Sequence, residues 1–326
     1  MAVERGEIVR NCLLWLTIII VVLWANSSAK EHRQQQPVEE FEIVVEGEGD
    51  ALIDAELIGE WLEQNDMHPE GRKIAEVDLS QLEKTISEHC AVSSVNAYMT
   101  YDGQLFVTAT QRKAVARLRI GDYDMYLGAD GYLFPVGDCY LLSLPVITGS
   151  YVPLFDSDFV GYHGDSSQEM LADIDDEIAD IETRRVELLK ERKAAARRKH
   201  AEEDREIELA LRALDQERLA VSLKADNIRN HVADFDALVA FAEYIVDSEF
   251  WRSEVVQIEL TGGGESPMQI AIIPRSGNFI VDLGFAERLS SKLATLGDFY
   301  DKTLSNVGWE TYRHISLRYD NQVVCK

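Results

Sequence analysis

The residue groups that could do chemistry in this chain are few, and none has a catalytic spacing. Gly47-Glu-Gly49 follows an alternating apolar run and opens an amphipathic segment, which is the place of a dinucleotide-binding loop. Leu52 stands at the third glycine position and carboxylates crowd the phosphate site, so we interpret the segment as a turn. Glu88-His89-Cys90 offers metal ligands, but three adjacent residues cannot close a tetrahedral site, and we interpret them as a helix end.

A wider search for catalytic motifs indicates no reaction. The sequence has no G-x-S-x-G, no P-loop and no H-E-x-x-H pattern, and its 7 histidines are scattered. Carboxylates are so numerous that no pair stands out. An exported enzyme such as a glycosidase, which is one alternative, would need two carboxyl groups about 5–10 Å apart in a cleft. The sequence therefore predicts no catalytic residue, no metal ligand set and no cofactor.

Charge limits the class of partner. The chain has 326 residues, with 32 Lys and Arg against 58 Asp and Glu, and its net charge is −26. Such an excess of acid is unsuited to sequence-independent binding of nucleic acid or to a polybasic grip on anionic lipid. The charge is also uneven, because the stretch from Gln34 to Gly71 has twelve carboxylates and no Lys or Arg.

The amino-terminal region contains a candidate membrane anchor. Residues 11–29 carry no charge, and a helix of that length spans roughly 28 Å, about one hydrocarbon core. Trp15 and Trp24 lie near its ends, where indole rings favour the interface. We therefore predict a single transmembrane helix, with Leu13, Trp15, Ile19 and Trp24 as anchor residues, after a short cytoplasmic head at 1–10.

A cleaved signal peptide is the alternative for this segment. Ser27-Ser28-Ala29 has small residues where a signal peptidase cuts, and the apolar stretch has signal-peptide length. Basic residues are balanced on the two flanks, so the positive-inside rule does not fix the orientation. A short head and a large acidic body are most simply arranged with the body exported.

The exported body begins with a linker and a small mixed module. Residues 30–37 are polar, and the following residues predict the order β-α-α-β-β. Asp50 is the expected cap of the first helix, and Asp102-Gly103 is a hairpin turn. The predicted elements are a strand at Phe41–Val45, a helix after Asp50, a helix at Asp78–His89, and strands at Val92–Thr100 and Leu105–Leu118.

A second, strand-rich region follows. Short apolar segments separated by Gly and Pro turns predict a mixed β domain, with one amphipathic helix at Phe285–Leu304. The predicted strands are Met125–Leu127, Tyr132–Phe134, Leu144–Gly149, Val255–Leu260, Met268–Ile273, Asn278–Leu283 and Tyr312–Val324. Cys90, Cys139 and Cys325 could form one disulfide or remain three separate buried thiols.

A long helical interruption divides this β domain. Residues 166–228 contain no Gly or Pro and are dense in charged residues, Ala and Leu. Apolar residues recur at heptad spacing, which predicts two antiparallel helices that turn back near Lys199–Glu203. The seam residues are Leu171, Ile174, Ile178, Ile181, Ile207, Leu211, Leu214 and Leu219. Such a hairpin is typical of a solvated structure held by its own seam, and a partner-binding arm is the functional alternative.

The order of these segments resembles the bacterial cell division protein family FtsQ/DivIB, in a Bacteroidetes-like form. In the segment 111–117, Ala114 and Gln111 replace the Pro and Glu that are usual in the family. In the segment 309–320, Ser316 stands where Asp is common. The helical interruption departs from the family pattern. The matching segments are Gln111-Arg-Lys-Ala-Val-Ala-Arg117, Tyr126-Leu-Gly-Ala-Asp-Gly-Tyr-Leu-Phe134, Leu144-Pro-Val-Ile-Thr-Gly149 and Trp309-Glu-Thr-Tyr-Arg-His-Ile-Ser-Leu-Arg-Tyr-Asp320.

The resemblance implies an α+β protein with one transmembrane helix. It identifies residues 38–119 as a POTRA-like domain and residues 120–326 as the family's β domain, with the helical insertion at 166–228. The family's members are non-enzymatic proteins of the inner membrane at the division septum, with a cytoplasmic amino terminus and a periplasmic body. They bind FtsB and FtsL and help control septal peptidoglycan synthesis by FtsW and FtsI.

The resemblance also implies where the partner binds. In the family, FtsB adds a strand to the edge formed by the last strand, where main-chain hydrogen bonds give affinity and alternate side chains give specificity. At the matching positions we expect Arg318, Tyr319, Asp320 and Asn321 to contact the partner. The alternative function that keeps a POTRA-like domain is a periplasmic chaperone or an outer-membrane assembly factor, which would predict several such domains or a barrel.

Overall fold

The fold was obtained as a computed structural model, which describes residues 15–21, 24, 33–137, 139–198, 200–264, 266–319 and 322–326. The chain divides into two compact units, Met1–Arg112 and Lys113–Lys326. This division comes before residue 119, where the sequence analysis ended the first domain.

The amino-terminal helix α1 is described at residues 15–21 and 24. Trp15, Ile19 and Trp24 are 66%, 55% and 71% exposed, and the fourth expected anchor residue, Leu13, lies outside the described residues. In the described part of the chain, no helix is both long enough and apolar enough to cross a membrane.

The first unit has the predicted β-α-α-β-β order. Its three strands lie in the order β1-β3-β2, with β1 parallel and β2 antiparallel to β3. The elements are β1 Phe41–Glu46, α2 Ala55–Gln64, α3 Leu79–Ser87, β2 Val92–Met99 and β3 Leu105–Gln111. Asp78 caps α3, whereas α2 is capped by Asp54 rather than by the expected Asp50.

Gln111 explains why the predicted strand Leu105–Leu118 is two strands. Its side chain is 7% exposed, and its Oε1 accepts a hydrogen bond from the Leu52 N–H at 2.9 Å while its Nε2 donates to the Asp50 carbonyl at 3.1 Å. These bonds tie the end of β3 to the loop before α2. The next strand, β4 (Ala114–Leu118), then joins a different sheet in the second unit.

The two glycines of the rejected dinucleotide motif lie in the turn after β1. A Cβ atom on Gly47 would come within 2.5 Å of Gln111 Cγ, so the position requires glycine. His89 follows α3, is 3% exposed and packs edge-on against Trp61 with ring centroids 5.2 Å apart. The two segments are therefore the turn and the helix end that the sequence analysis predicted.

The second unit is built on a ten-stranded mixed sheet in the order β13-β12-β11-β10-β9-β7-β4-β5-β6-β8. The pairs β4–β7, β7–β9 and β11–β12 are parallel, and the other neighbours are antiparallel. Besides β4, its strands are β5 Met125–Gly128, β6 Tyr132–Pro135, β7 Val146–Gly149, β8 Gly161–Tyr162, β9 Val255–Gly263, β10 Ser266–Pro274, β11 Ile280–Phe285, β12 His314–Ser316 and β13 Val324–Cys325.

Helices cover this sheet and complete its core. The long helix α5 (Ala201–Asp247) runs past the predicted end at Ile228 because its last four turns are apolar, and Phe235, Leu238 and Ile245 are buried among the strand residues. The short helix α6 (Glu249–Glu254) follows, and α7 (Leu289–Phe299) packs on the same core. The chain then continues through a π-helical turn at Tyr300–Leu304.

The helical hairpin projects from this domain as the predicted antiparallel pair. Helix α4 (Asp165–Arg198) packs against the first half of α5. Their seam contains Ile174, Ile181, Leu214, Val221 and Ala225, and a second group lies nearer the tip. Leu219 was predicted in this seam, but it is 61% exposed, and Val221 occupies the inward position instead.

Ion pairs tie the two helices of the hairpin together along its length. Arg184 reaches Glu217 at 2.7 Å, Arg185 reaches Asp215 at 3.1 Å and Arg218 reaches Glu182 at 3.0 Å. Each of these pairs is exposed to solvent and therefore contributes little singly, on the order of 0–1 kcal/mol. Together with the apolar seam they fix the register of α4 against α5.

Candidate functional site

Two of the predicted partner residues, Arg318 and Tyr319, lie at the carboxy-terminal edge of the ten-stranded sheet. The sequence predicted one strand from Tyr312 to Val324, but the structure has two, because β13 returns antiparallel to β12 with Cys325 opposite Ile315. The N–H of Leu317 donates to the Asp282 carbonyl at 2.8 Å, so the chain stays on β11 for one residue after β12. Strand β13 is consequently the outermost strand at this end of the described sheet.

The register fixes which main-chain groups of β13 face outward. His314 and Lys326 exchange both of their hydrogen bonds, with N–H to carbonyl distances of 3.1 and 2.9 Å. In an antiparallel ladder, such hydrogen-bonded pairs alternate with pairs whose main-chain groups point away from the partner strand. The N–H and carbonyl of Cys325 therefore point away from β12, toward the position of an added strand.

Arg318 lies across the neighbouring strands. Its Nε donates to Asp282 Oδ2 at 2.6 Å and its Nη2 donates to Gln269 Oε1 at 2.8 Å, so one guanidinium joins residues of β11 and β10. The approach depends on Gly284, where a Cβ atom would come within 2.9 Å of Arg318 Cγ and where φ is +71°. The side chain of Arg318 remains 45% exposed.

Tyr319 is a largely exposed aromatic residue of this edge. It is 67% exposed and lines a cleft of about 130 Å³ between the start of α7 and the segment before β13. Arg288, Lys292, Ser291 and Thr295 contribute cations and hydroxyl groups to the same cleft. Lys292 Nζ also donates to the carbonyl of Leu283 at 2.6 Å, which holds the start of α7 against the end of β11.

The carboxy-terminal region lacks the acidic excess of the chain as a whole. Residues 266–326 contain seven Lys and Arg against six Asp and Glu, in a chain whose net charge is −26. A nearly neutral edge on an acidic body allows a negatively charged partner to approach there. The other two expected partner residues, Asp320 and Asn321, lie outside the described residues.

One cleft of the second unit is rich in carboxylates. A cleft at the base of the hairpin is lined by Asp156, Asp165, Glu169 and Asp173, and all four carboxylates are solvent-exposed. A carboxylic acid that acts as a general acid is instead usually shielded from water. Among the described residues, no group of three or more His, Cys, Asp or Glu side chains is arranged to hold a metal ion.

Two family models match the chain. The model described as FtsQ/DivIB, C-terminal related matches residues 201–326, and the model of a POTRA-like domain matches residues 37–110. Taken together, the two matches support an FtsQ/DivIB-family protein. No curated protein matches it.

The first match includes the candidate site. The first match contains β12, β13, α7, Arg318 and Tyr319, so the whole candidate edge lies within the part that relates the chain to division proteins. It begins at residue 201 and therefore includes α5, although the sequence analysis placed the entire hairpin outside the family pattern. Members of the FtsQ/DivIB family are generally non-enzymatic scaffolds, and the two matches support a division-related role.

Sequence reasoning missed the partners that hold Arg318. Asp282 and Gln269 are 36 and 49 residues before it, and neither belongs to a motif. Gly284 is the signal that could have found them, because a glycine inside a strand often marks a close approach of another chain segment.

Proposed function

We propose that this chain is a single-pass inner-membrane protein of the division machinery, with residues 11–29 as the anchor and the two folded units in the periplasm. Its carboxy-terminal sheet edge binds FtsB-like and FtsL-like partners, and through them it helps recruit and control septal peptidoglycan synthesis by FtsW and FtsI. It acts as a scaffold and not as an enzyme.

The observation that carries this proposal is the geometry of the edge. The outward N–H and carbonyl of Cys325 can extend the ladder by one strand, which is how sheets capture extended peptides. Tyr319 lies near this ladder and is mostly exposed, and a large aromatic ring of this kind is the usual anchor of a protein interface.

Arg318 has a more specific role in this proposal than the sequence suggested. Because its guanidinium already bonds Asp282 and Gln269, it holds the segment after β12 in place and presents Tyr319. Its exposed portion remains able to meet a partner carboxylate, since a guanidinium has five donors and the two internal bonds use two of them.

The FtsQ/DivIB-related match favours this function over that of a periplasmic chaperone or outer-membrane assembly factor. A POTRA-like domain is consistent with either function, whereas the match over residues 201–326 supports the division function. Residues 266–326, which contain this edge, also lack the acidic excess of the chain as a whole.

Localisation in dividing cells tests the proposal. A fluorescent copy is expected to collect at the septum, and depletion of the protein is expected to give filaments that fail to divide. An even distribution in the membrane together with normal division after depletion would overturn the proposed function. A copy that lacks residues 1–29 but carries a cleavable export signal separates the anchor from the body, and we expect it to lose septal enrichment.

A further inference from the structure

Helix α5 carries a second heptad seam on the side opposite its contact with α4. Leu209 and Leu223 are 60% and 55% exposed, and the residues between them on this face recur at spacings of four and three. All six members of this face are solvent-exposed and none is charged. The outer seam consists of Leu209, Ala213, Gln216, Ala220, Leu223 and Asn227.

The outer seam has no role in the fold of the hairpin. The contact with α4 is made by a different set, which includes Ile207, Leu211, Leu214 and Val221. The two sets differ by about half a turn of the helix, since residues two positions apart lie about 200° apart. From Leu209 to Asn227 the outer seam is roughly 27 Å long, which is enough for two and a half heptads.

We propose that the outer seam binds the same seam of a second copy of this chain, as a parallel two-stranded coiled coil between two α5 helices. In this register Ala213, Ala220 and Asn227 occupy a positions, and Leu209, Gln216 and Leu223 occupy d positions. Alanine at a allows the helices to approach closely, and a single asparagine at a is the residue that favours parallel dimers in one register.

The charges that flank the seam complement each other in this arrangement. Arg212 is at a g position and Glu217 is at the following e position, which face each other between the two helices of a parallel coiled coil. Both side chains are exposed, at 71% and 43%. Within one chain Arg212 bonds Glu208 and Glu217 bonds Arg184, each at 2.7 Å, so the two new pairs would extend these networks across the dimer. Because a two-fold axis relates the two copies, the pair between Arg212 of one copy and Glu217 of the other forms twice.

Leu219 supports the same arrangement. It lies at the g position of the next heptad, is 61% exposed, and would face the aliphatic stem of Lys224 from the other copy. The inference is independent of partner binding at the sheet edge, because the outer seam is on the hairpin and the edge is at β13.

Sedimentation of the full chain in detergent tests the proposal. We expect a dimer, and we expect Leu209→Glu with Leu223→Glu to weaken self-association by at least about tenfold because two apolar layers become charged. Val186→Glu is the matched control, since Val186 is a 47% exposed apolar residue on α4, and this variant should remain dimeric. A parent chain that stays monomeric, or a double variant that dimerises equally well, would overturn the proposal.

Site-specific crosslinking separates the outer seam from other routes to a dimer. In a background with the 4 native cysteines changed to serine, Leu209→Cys should form a disulfide with itself in a parallel pair. Crosslinking only in a mixture of Leu209→Cys and Asn227→Cys would contradict the parallel register. A chain that shows no crosslink and instead captures a helix of another protein would contradict the second copy as the occupant. Circular dichroism and the melting temperature show whether each variant is folded.

Discussion

The Nε of Arg318 donates to Oδ2 of Asp282 across 2.6 Å, and this bond anchors the segment after β12 to the middle of β11. Asp282 is mostly shielded, with a side chain that is 14% exposed, and its Oδ1 also accepts from the Gly284 N–H. The Asp282 carboxylate therefore binds both the Gly284 N–H within β11 and the Arg318 side chain at the candidate partner edge.

The first prediction concerns this pair. Arg318→Ala and Asp282→Ala should each lower the free energy of unfolding, and the double variant should lose less than their sum, with a coupling of about 1–2 kcal/mol because a charge-assisted bond is lost only once. Urea unfolding of the three variants and the parent chain measures this. Strictly additive losses of unfolding free energy would show that the bond between Arg318 and Asp282 does not stabilise the fold.

The second prediction concerns Tyr319 as an interface anchor. Tyr319→Ala should weaken binding of the FtsB-like partner by at least about tenfold, on the order of 2 kcal/mol for a buried aromatic anchor, whereas Tyr319→Phe should bind nearly as well. Tyr244→Ala is the matched control, because Tyr244 is also exposed but lies on α5. Pull-down and titration with the partner's soluble domain measure both effects, and undiminished binding by Tyr319→Ala would refute the assignment.

The third prediction uses the register of β13. Cys325→Pro removes an outward N–H, and proline is tolerated on an edge strand at such positions, so the fold should survive while partner binding falls. Cys325→Val keeps the N–H and should bind normally. Val324→Pro should instead weaken the pairing of β13 with β12, because Val324 pairs with Ser316 in this ladder. Equal partner affinity for the proline and valine variants at 325 would argue against strand addition at β13.

The fourth prediction is a pH dependence at a partly exposed ion pair of the second unit. Arg117 Nε donates to Asp124 Oδ1 at 2.7 Å, and this hydrogen bond lowers the pKa of the Asp124 carboxyl. Because the folded pKa lies below the unfolded value near 4, the stabilisation is complete above about pH 5 and is lost as the pH falls through the folded pKa. Asp124→Asn should therefore destabilise the chain at pH 7, and the difference in stability from the parent chain should shrink as the pH falls below about 4. Urea midpoints at several pH values measure this, and a pH-independent effect would contradict it.

Local patterns were enough to predict the elements of the first unit and the hairpin. Alternation, helix caps and the turn at Gly103 specify the β-α-α-β-β order, and the run without Gly or Pro specifies the two long helices. These features depend on neighbours within a few residues, which a single sequence displays.

Long-range contacts account for what was missed. The chain leaves β3 at Gln111 because that side chain bonds a loop 59 residues earlier, and Arg318 depends on Asp282 36 residues earlier. Leu219 was placed in the inner seam because apolar residues at similar spacing lie on both sides of α5, and only the packing of α4 distinguishes them. Periodicity therefore predicted the helix and its seam residues Ile207, Leu211 and Leu214, but it misplaced Leu219.

The strands at the two ends of the large sheet, β8 and β13, are only two residues long. Long and flat edge strands are the usual template for uncontrolled pairing and fibre growth, so short ones protect a ten-stranded sheet from aggregation. The same shortness means that an extended peptide gains few main-chain bonds from either end. A true partner must then be selected by its side chains, and an unrelated strand gains too little to remain bound.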